Sequence, residues 1–388
     1  MRIENVKRIV QWGYGDGAGK IELYIFSIPA AILAEKAEIF RRTPDRREGY
    51  QRELQEARLS RGKLGVAGYI LDQMGIFPTS VLVNVRREQG QLEYQKRSGG
   101  SDGEIGDLVV PDDLTWFVVD GQHRLEGLKI AMREEEDLAK YPIIVTMTNE
   151  DIFIEMLLFF LVNSRAKSVP TGLAYRILQR MLYDKVAPKW IEGTMMVGAD
   201  RRKAIAATIV DYLNLDLDSP FKGKIQEIGE PSSAEHLTTD ETLTRYVTMI
   251  LKDSIFTEMY DKDVAQLIAE YWSALAMIYP RCFQKTEDYM LLGTIGLSSM
   301  SRLFPTIYGY CARDGNISKE NMAKYLKYLL EQTPDHRDVD FRGPIDEKWW
   351  HRVDGPGIIH GTGEGHYTEV ASKFADKISK TVAKSRNR

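Results

Sequence analysis

The sequence is poor in cysteine and has no long apolar run. Its 388 residues include two cysteines, Cys282 and Cys311, too few for a disulfide framework or a cysteine-rich zinc site. No window approaches the roughly 18 consecutive apolar residues that a membrane helix needs. The charged N-terminus has no apolar leader. We therefore expect a reducing, cytoplasmic location and no membrane partner.

The chain also lacks a strong excess of charge of either sign. Its formal net charge is -4, and charged residues make up 28% of the sequence, which is ordinary for a globular protein. Any contact with DNA must therefore come from local basic patches or through a partner subunit. The sequence contains no Walker motif, no Gly-x-Ser-x-Gly and no His-Glu-x-x-His, so the enzyme classes that these motifs mark are not indicated.

What the sequence does contain is an abrupt change from strand to helix at residues 120–124, here called the 120–124 turn. An apolar run at residues 116–119 predicts a buried strand, and Leu125 and Leu128 then follow at helical spacing. A helix that begins in this way leaves backbone N–H groups free, and its dipole favours anions. The pattern predicts a site for the phosphate of a nucleotide or a nucleic acid.

Each residue of the 120–124 turn has a chemical role to offer such a ligand. Gly121 allows close backbone approach, and Gln122 and His123 can donate hydrogen bonds. Arg124 can hold two phosphate oxygens at once. Asp120 can cap the helix, hold Arg124, or bind a magnesium ion that a nucleotide carries. The simpler alternative is a capped helix start whose histidine and arginine make only structural hydrogen bonds.

The order of elements along the chain indicates two parts. Strands and helices alternate from residue 77 to 165, which is typical of an α/β unit, and helices dominate beyond about residue 170. We therefore predict an α/β domain at 1–170 and a mainly α-helical domain at 171–388 with a glycine- and aromatic-rich tail. Residues 35–76 are expected to be charged and helical, and the basic C-terminal run to be frayed.

The pentapeptide Asp-Gly-Gln-His-Arg, with flanking segments at 50–58, 77–85 and 159–169, resembles the DGQHR-domain family, whose members include DpdB-like and DndB-like proteins. The resemblance covers about residues 45–170, and its segments occur in the family's order. The family is related to the ParB/sulfiredoxin superfamily. The resemblance therefore implies a ParB/sulfiredoxin-like fold in the N-terminal half and a bound nucleoside triphosphate.

The resemblance also implies which side chains surround the nucleotide. Gln51 and Arg52 would provide further polar and cationic contacts, and Asn163 and Lys167 would form a polar wall of the pocket. The structural alternatives are a surface arginine on a charged helix for Arg52 and a helix C-cap for Asn163. The expected catalytic residues are three from the 120–124 turn, namely Asp120, His123 and Arg124.

The function implied is an accessory protein of a DNA-modification and restriction system that binds and hydrolyses ATP, or another NTP, with Mg2+. Within the resemblance, general likeness favours a DpdB-like member, which assists insertion of a 7-deazaguanine base into DNA with a transglycosylase-like partner. The long helical half and near-neutral charge suit a subunit that works with such a partner. The alternative is a DndB-like, DNA-binding transcriptional regulator of a phosphorothioation gene cluster. A nuclease is a weaker third hypothesis, because no metal-binding carboxylate cluster is visible.

His360 and His366 flank flexible glycines, so no resident metal site is predicted. The nucleotide's identity and the oligomeric state are left open.

Overall fold

The computed structural model describes residues 1–12, 20–51, 54, 59–60, 65–73, 75–100, 103–164, 171–183 and 199–386. The chain divides into two compact units, Met1–Met196 and Val197–Arg388. No helix among these described residues is both long and apolar enough to span a lipid bilayer. A functional division after residue 170 stays a prediction.

The first unit is built on a mixed sheet, in which eight strands are described. In chain order they are β1 Arg2–Trp12, β2 Lys20–Pro29, β3 Ala37–Glu38, β4 Val81–Asn84, β5 Glu93–Gly100, β6 Gly103–Val109, β7 Trp116–Asp120 and β8 Pro142–Thr148. Their spatial order is β3-β7-β4-β8-β2-β1-β6-β5. The pairs β3–β7 and β4–β8 are parallel, and the other neighbours are antiparallel.

Helices of the first unit connect and accompany these strands. They are α1 Ala30–Lys36, α2 Val66–Asp72, α3 Gln122–Glu134, α4 Ile152–Ser164 and α5 Thr171–Tyr183. Helix α3 lies so close to α2 that a Cβ atom at Gly127 would be 2.5 Å from the Cβ of Val66. Glycine at this position therefore permits the two helices to approach closely.

Strand β7 lies inside the sheet and leads directly into α3. Its first four residues, from Trp116 to Val119, are all buried, as expected for a strand covered on both faces. Helix α4 contacts β7, and the core beneath the strand contains Val83, Val145 and Leu125. This packing fixes the position at which the strand ends and the 120–124 turn begins.

The second unit is mainly helical over its described residues, 199–386. Its helices are α6 Ala199–Asp211, α7 Asp240–Ile250, α8 Ser254–Thr257, α9 Asp261–Ile278, α10 Pro280–Gln284, α11 Thr294–Arg313, α12 Lys319–Leu326, α13 Glu347–Trp350 and α14 Glu364–Arg386. Two short strands, β9 Ile225–Gln226 and β10 Thr238–Thr239, pair in parallel. Aromatic side chains such as Tyr271, Trp272 and Phe304 pack in its interior.

The predicted fold class, α/β followed by a helical region, is confirmed. One local prediction is wrong. Residues 39–51 are irregular and held by isolated bridges such as Arg41–Gln51, because backbone pairing outweighs their helical composition. Helix α14 extends through the described part of the basic C-terminal run to Arg386, and the fraying of that run stays a prediction. The ParB/sulfiredoxin-like topology stays a prediction.

Candidate phosphate-binding turn

Gly121 makes the change of direction between β7 and α3. Its backbone is left-handed, with φ of 99° and ψ of 13°, a conformation that residues with a Cβ rarely adopt. A Cβ here would also lie 3.1 Å from both Arg124 Nη2 and Val81 Cγ2. The amide of Leu125 donates to the Gly121 carbonyl oxygen at 3.0 Å, so the helix begins immediately after the glycine.

Arg124 is held in one orientation from two sides. Its Nη2 donates to Asp120 Oδ2 at 2.9 Å, and its Nη1 donates to the carbonyl oxygen and Oγ1 of Thr79 at 2.7 and 2.6 Å. The Arg124 side chain is 17% exposed. Of the three roles considered for Asp120, the structure shows that it holds Arg124. Thr79, which precedes β4, was not identified from the sequence.

The N-terminus of α3 has no side-chain cap, and its first turn contains no acidic residue. At a helix start of this kind, backbone N–H groups at the positive end of the helix dipole remain available to donate hydrogen bonds to an anion. Gln122 and His123 occupy this first turn and are both partly buried. The Oε1 atom of Gln122 is buried and has no hydrogen-bond partner among the described residues. The turn therefore offers both donors and an acceptor to a ligand.

Gln51 lies beside the strand that enters the turn. Its side chain is fully buried, and its Nε2 donates to the carbonyl oxygen of Val118. Its Oε1 is buried without a hydrogen-bond partner in the described part of the chain. The structure thus brings Gln51 next to β7, two residues before Asp120. Its role toward a nucleotide stays a prediction.

The remaining predicted site residues are less informative. Asn163 Nδ2 donates to the carbonyl oxygen of Phe159 at 2.8 Å, which is the bond expected of an asparagine that satisfies the end of its own helix. Its proposed place in a pocket wall stays a prediction. Arg52 and Lys167 lie outside the described residues.

A buried acidic residue beside this region was not identified from the sequence. Glu155 of α4 is fully buried, and its carboxylate accepts from Tyr50 Oη at 2.8 Å, Asn84 Nδ2 at 2.8 Å and Arg86 Nη2 at 2.7 Å. We call these four residues the Glu155 network. Burial and the neighbouring carboxylate raise the pKa of Tyr50 well above its usual value, so the phenol remains a donor. A glutamate within an otherwise apolar helix was the available signal.

The Arg86 guanidinium of this network also stacks on aromatic rings. Its Cζ lies 3.5 Å from the ring centroid of Phe117 and 4.2 Å from that of Phe40. Cation–π contacts of this kind stabilise a partly buried guanidinium. Because Phe117 belongs to β7 and Tyr50 precedes Gln51, the Glu155 network fixes the surroundings of the 120–124 turn.

Among the described residues, no group of three or more histidine, cysteine or acidic side chains is arranged so that it could hold a metal ion. His366 contacts the carbonyl oxygen of Ile358 through Nε2, at 2.7 Å. Cys282 and Cys311 are both buried, and burial raises the pKa of each thiol, to about 12 and about 11. The two cysteines therefore remain protonated and are not reactive nucleophiles at neutral pH.

Comparison with known proteins gives one result that bears on function. Residues 17–295 match the protein family described as DndB, DNA-sulfur modification-associated. This segment includes the 120–124 turn and the Glu155 network. No curated protein and no solved structure matches the chain.

Proposed function

The chain belongs to the DndB family of DNA-sulfur modification-associated proteins, and from this premise we propose that it binds a nucleoside triphosphate at the 120–124 turn in the service of a DNA-modification system. The observation that carries this proposal is the uncapped N-terminus of α3 beside Arg124, whose guanidinium is already oriented by Asp120 and Thr79. A helix start with an oriented arginine is suited to a phosphate group.

The hydrogen bonds of Arg124 leave one side of its guanidinium available to the ligand. Nη1 is occupied by Thr79 and one hydrogen of Nη2 by Asp120. In the described part of the chain no acceptor is bonded to Nε. A guanidinium carries five N–H donors, so Nε and the second hydrogen of Nη2 remain as donors for phosphate oxygens. The hydrogen bonds from Arg124 to Asp120 and Thr79 therefore orient the guanidinium for phosphate binding and do not compete with it.

The proposed nucleotide is ATP or another NTP with Mg2+, and the proposed reaction is slow hydrolysis. A magnesium ion carried by ATP would neutralise phosphate charge when bound. Asp120 fits such an ion, because only its Oδ2 is bonded to Arg124 and its side chain is 39% exposed. His123, in the first turn of α3, is the candidate that assists proton transfer.

Two finer roles within DNA modification follow from different arguments. The family match favours a DndB-like, DNA-binding regulator of a phosphorothioation gene cluster, in which the 120–124 turn would contact a DNA phosphate. The sequence resemblance favours help to a transglycosylase-like enzyme that inserts a 7-deazaguanine base. The low exposure of Arg124, 17%, suits the phosphate of a small ligand better than the exposed backbone of a duplex. We therefore favour nucleotide binding over DNA binding as the function of the turn.

The test is nucleotide binding and phosphate release by the full chain, with and without duplex DNA. We compare the wild type with His123→Ala and Arg124→Ala, and with Arg133→Ala as a matched control. Arg133 is an exposed arginine in the last turn of the same helix. Loss of a charge-assisted, bidentate contact weakens nucleotide binding by about tenfold or more in Arg124→Ala, while the control binds as the wild type does.

The outcomes separate the candidates. Turnover that disappears in both turn variants supports the NTPase. Binding without turnover supports a nucleotide-responsive regulator. A wild type that binds no nucleotide but is retained on its own promoter DNA, with a steep dependence on salt, contradicts the nucleotide site and supports the DNA-binding regulator.

A further inference from the structure

A polar pocket in the first unit is lined by residues other than those predicted from the sequence to form the site. Its volume is about 420 Å3, and it is open to solvent between residues 37–46 and helix α3. This volume is within the range of small-molecule sites. Its charged lining residues are Glu38, Arg41, Arg46, Glu126 and Lys129. We call this the α3 pocket.

Two of the three cations in the α3 pocket are neutralised by a neighbour. Arg46 Nη1 lies 2.7 Å from Glu38 Oε1, and Lys129 Nζ lies 2.9 Å from Glu126 Oε1. These pairs give the pocket walls donors and acceptors but no net charge. They are suited to the polar body of a ligand, such as a sugar or a base.

Arg41 is the cation without a counterion. It makes no ion pair with any described residue, and its Nε is buried and has no hydrogen-bond partner there. A buried donor that lacks an acceptor is energetically unfavourable. Arg41 also lines the pocket, so an anion bound there would meet a guanidinium that no carboxylate of the described residues neutralises.

The backbone around Arg41 is held firmly. Arg41 pairs with Gln51 in a parallel bridge, and the amide of Arg42 donates to the Gln51 carbonyl oxygen at 2.8 Å. A Cβ at Gly49 would lie only 2.1 Å from the carbonyl oxygen of Arg41, so the two backbone segments are in close contact. Arg41 is therefore presented to the pocket by a fixed segment.

We propose that the α3 pocket binds a small organic phosphate of nucleoside monophosphate size, with its phosphate on Arg41. The unbalanced positive charge and the planar, forked guanidinium favour a phosphate group. The two ion pairs provide hydrogen bonds of both kinds to a polar body, and the volume accommodates one nucleoside. This site is separate from the 120–124 turn and does not depend on the function proposed for that turn.

The experiment titrates adenosine monophosphate, and inorganic phosphate separately, into the full chain by calorimetry. The variants are Arg41→Gln for the pocket and Arg133→Gln as the control on α3. We expect Arg41→Gln to weaken binding of adenosine monophosphate by tenfold or more, and the control to bind it as the wild type does. Inorganic phosphate, which cannot contact the ion pairs, is expected to bind more weakly.

Two results would overturn the proposal. They are equal affinity in the wild type and Arg41→Gln, and a wild type that binds neither probe. Thermal melting of each variant checks that it is folded. If Arg41→Gln is unfolded, Lys129→Glu serves instead, because a negative charge on the α3 wall must weaken binding at low salt, and unchanged affinity would then be the contradicting result.

Discussion

At the scale of single residues, Gly121 decides whether the strand and helix can meet at the 120–124 turn. Its φ of 99° is one that residues with a Cβ rarely adopt, and an added Cβ would lie in tight contact, 3.1 Å from both Arg124 Nη2 and Val81 Cγ2. The same backbone conformation orients the first turn of α3, where the phosphate is proposed to bind. We therefore expect both stability and the proposed binding to depend on this one glycine.

We expect Gly121→Ala to lower the free energy of unfolding by about 1–3 kcal/mol, because a Cβ in this conformation is strained and contacts Val81. Nucleotide affinity should fall as well. Chemical denaturation and calorimetry measure the two effects. Gly309→Ala, inside α11 and with no atom within 4 Å of the added Cβ, is the control and should be neutral or slightly stabilising. If Gly121→Ala changed the free energy of unfolding as little as Gly309→Ala, our account of the turn would be contradicted.

At the scale of elements, the Glu155 network joins α4 to the segments around β4 and β7. Glu155 is fully buried, Arg86 is 12% exposed, and Asn84 Oδ1 also accepts from Thr148 Oγ1 at 2.8 Å. A satisfied buried pair of this kind contributes little relative to an apolar pair, but removal of one partner leaves the other charge uncompensated.

We therefore expect Glu155→Gln and Arg86→Met each to reduce the free energy of unfolding by about 3–5 kcal/mol. The double variant Glu155→Leu with Arg86→Met should lose clearly less than the sum of the single variants, because neither charge is then left unpaired. Chemical denaturation of the single variants, including Glu155→Leu alone, and of the double variant measures the coupling free energy between the two side chains. Strict additivity would show that the two side chains are energetically independent.

At the scale of the whole molecule, each unit has its own interior. In the second unit, α14 carries a buried lysine, Lys377, whose Nζ donates to the carbonyl oxygens of Glu331, Phe341 and Gly343 at 2.6, 3.1 and 2.9 Å. It also donates to Thr333 Oγ1 at 3.1 Å. Burial lowers the pKa of Lys377 to about 8. The Lys377 amine thus connects segment 331–343 to helix α14 by hydrogen bonds.

We predict that Lys377→Met destabilises the second unit by about 3 kcal/mol or more, because several buried acceptors lose their donor at once. The matched control is Lys384→Met on the same helix, whose ion pair with Asp335 is 55% exposed at both side chains and is worth at most about 1 kcal/mol. Thermal melting and hydrogen exchange of α14 report the change. Similar losses in both variants would refute the special role of Lys377.

The sequence predicted some of these features and not others. The apolar run of β7, the glycine and the helical spacing after it are signals within a dozen residues, so the strand, turn and helix were all anticipated. The irregular course of residues 39–51 was not, because it depends on bridges such as Arg41–Gln51. Nor was the burial of Lys377, since its partners lie 34 to 46 residues earlier in the chain.

By itself, the sequence determined the α/β-then-helical class and the position of the 120–124 turn, because both follow from local periodicity and from the freedom of one glycine. Only the tertiary structure decided the partners. Thr79 is 45 residues from Arg124, Gln51 is 67 residues from Val118, and Tyr50 is 105 residues from Glu155. Such pairs depend on the order and register of the strands in the sheet, which no local pattern encodes.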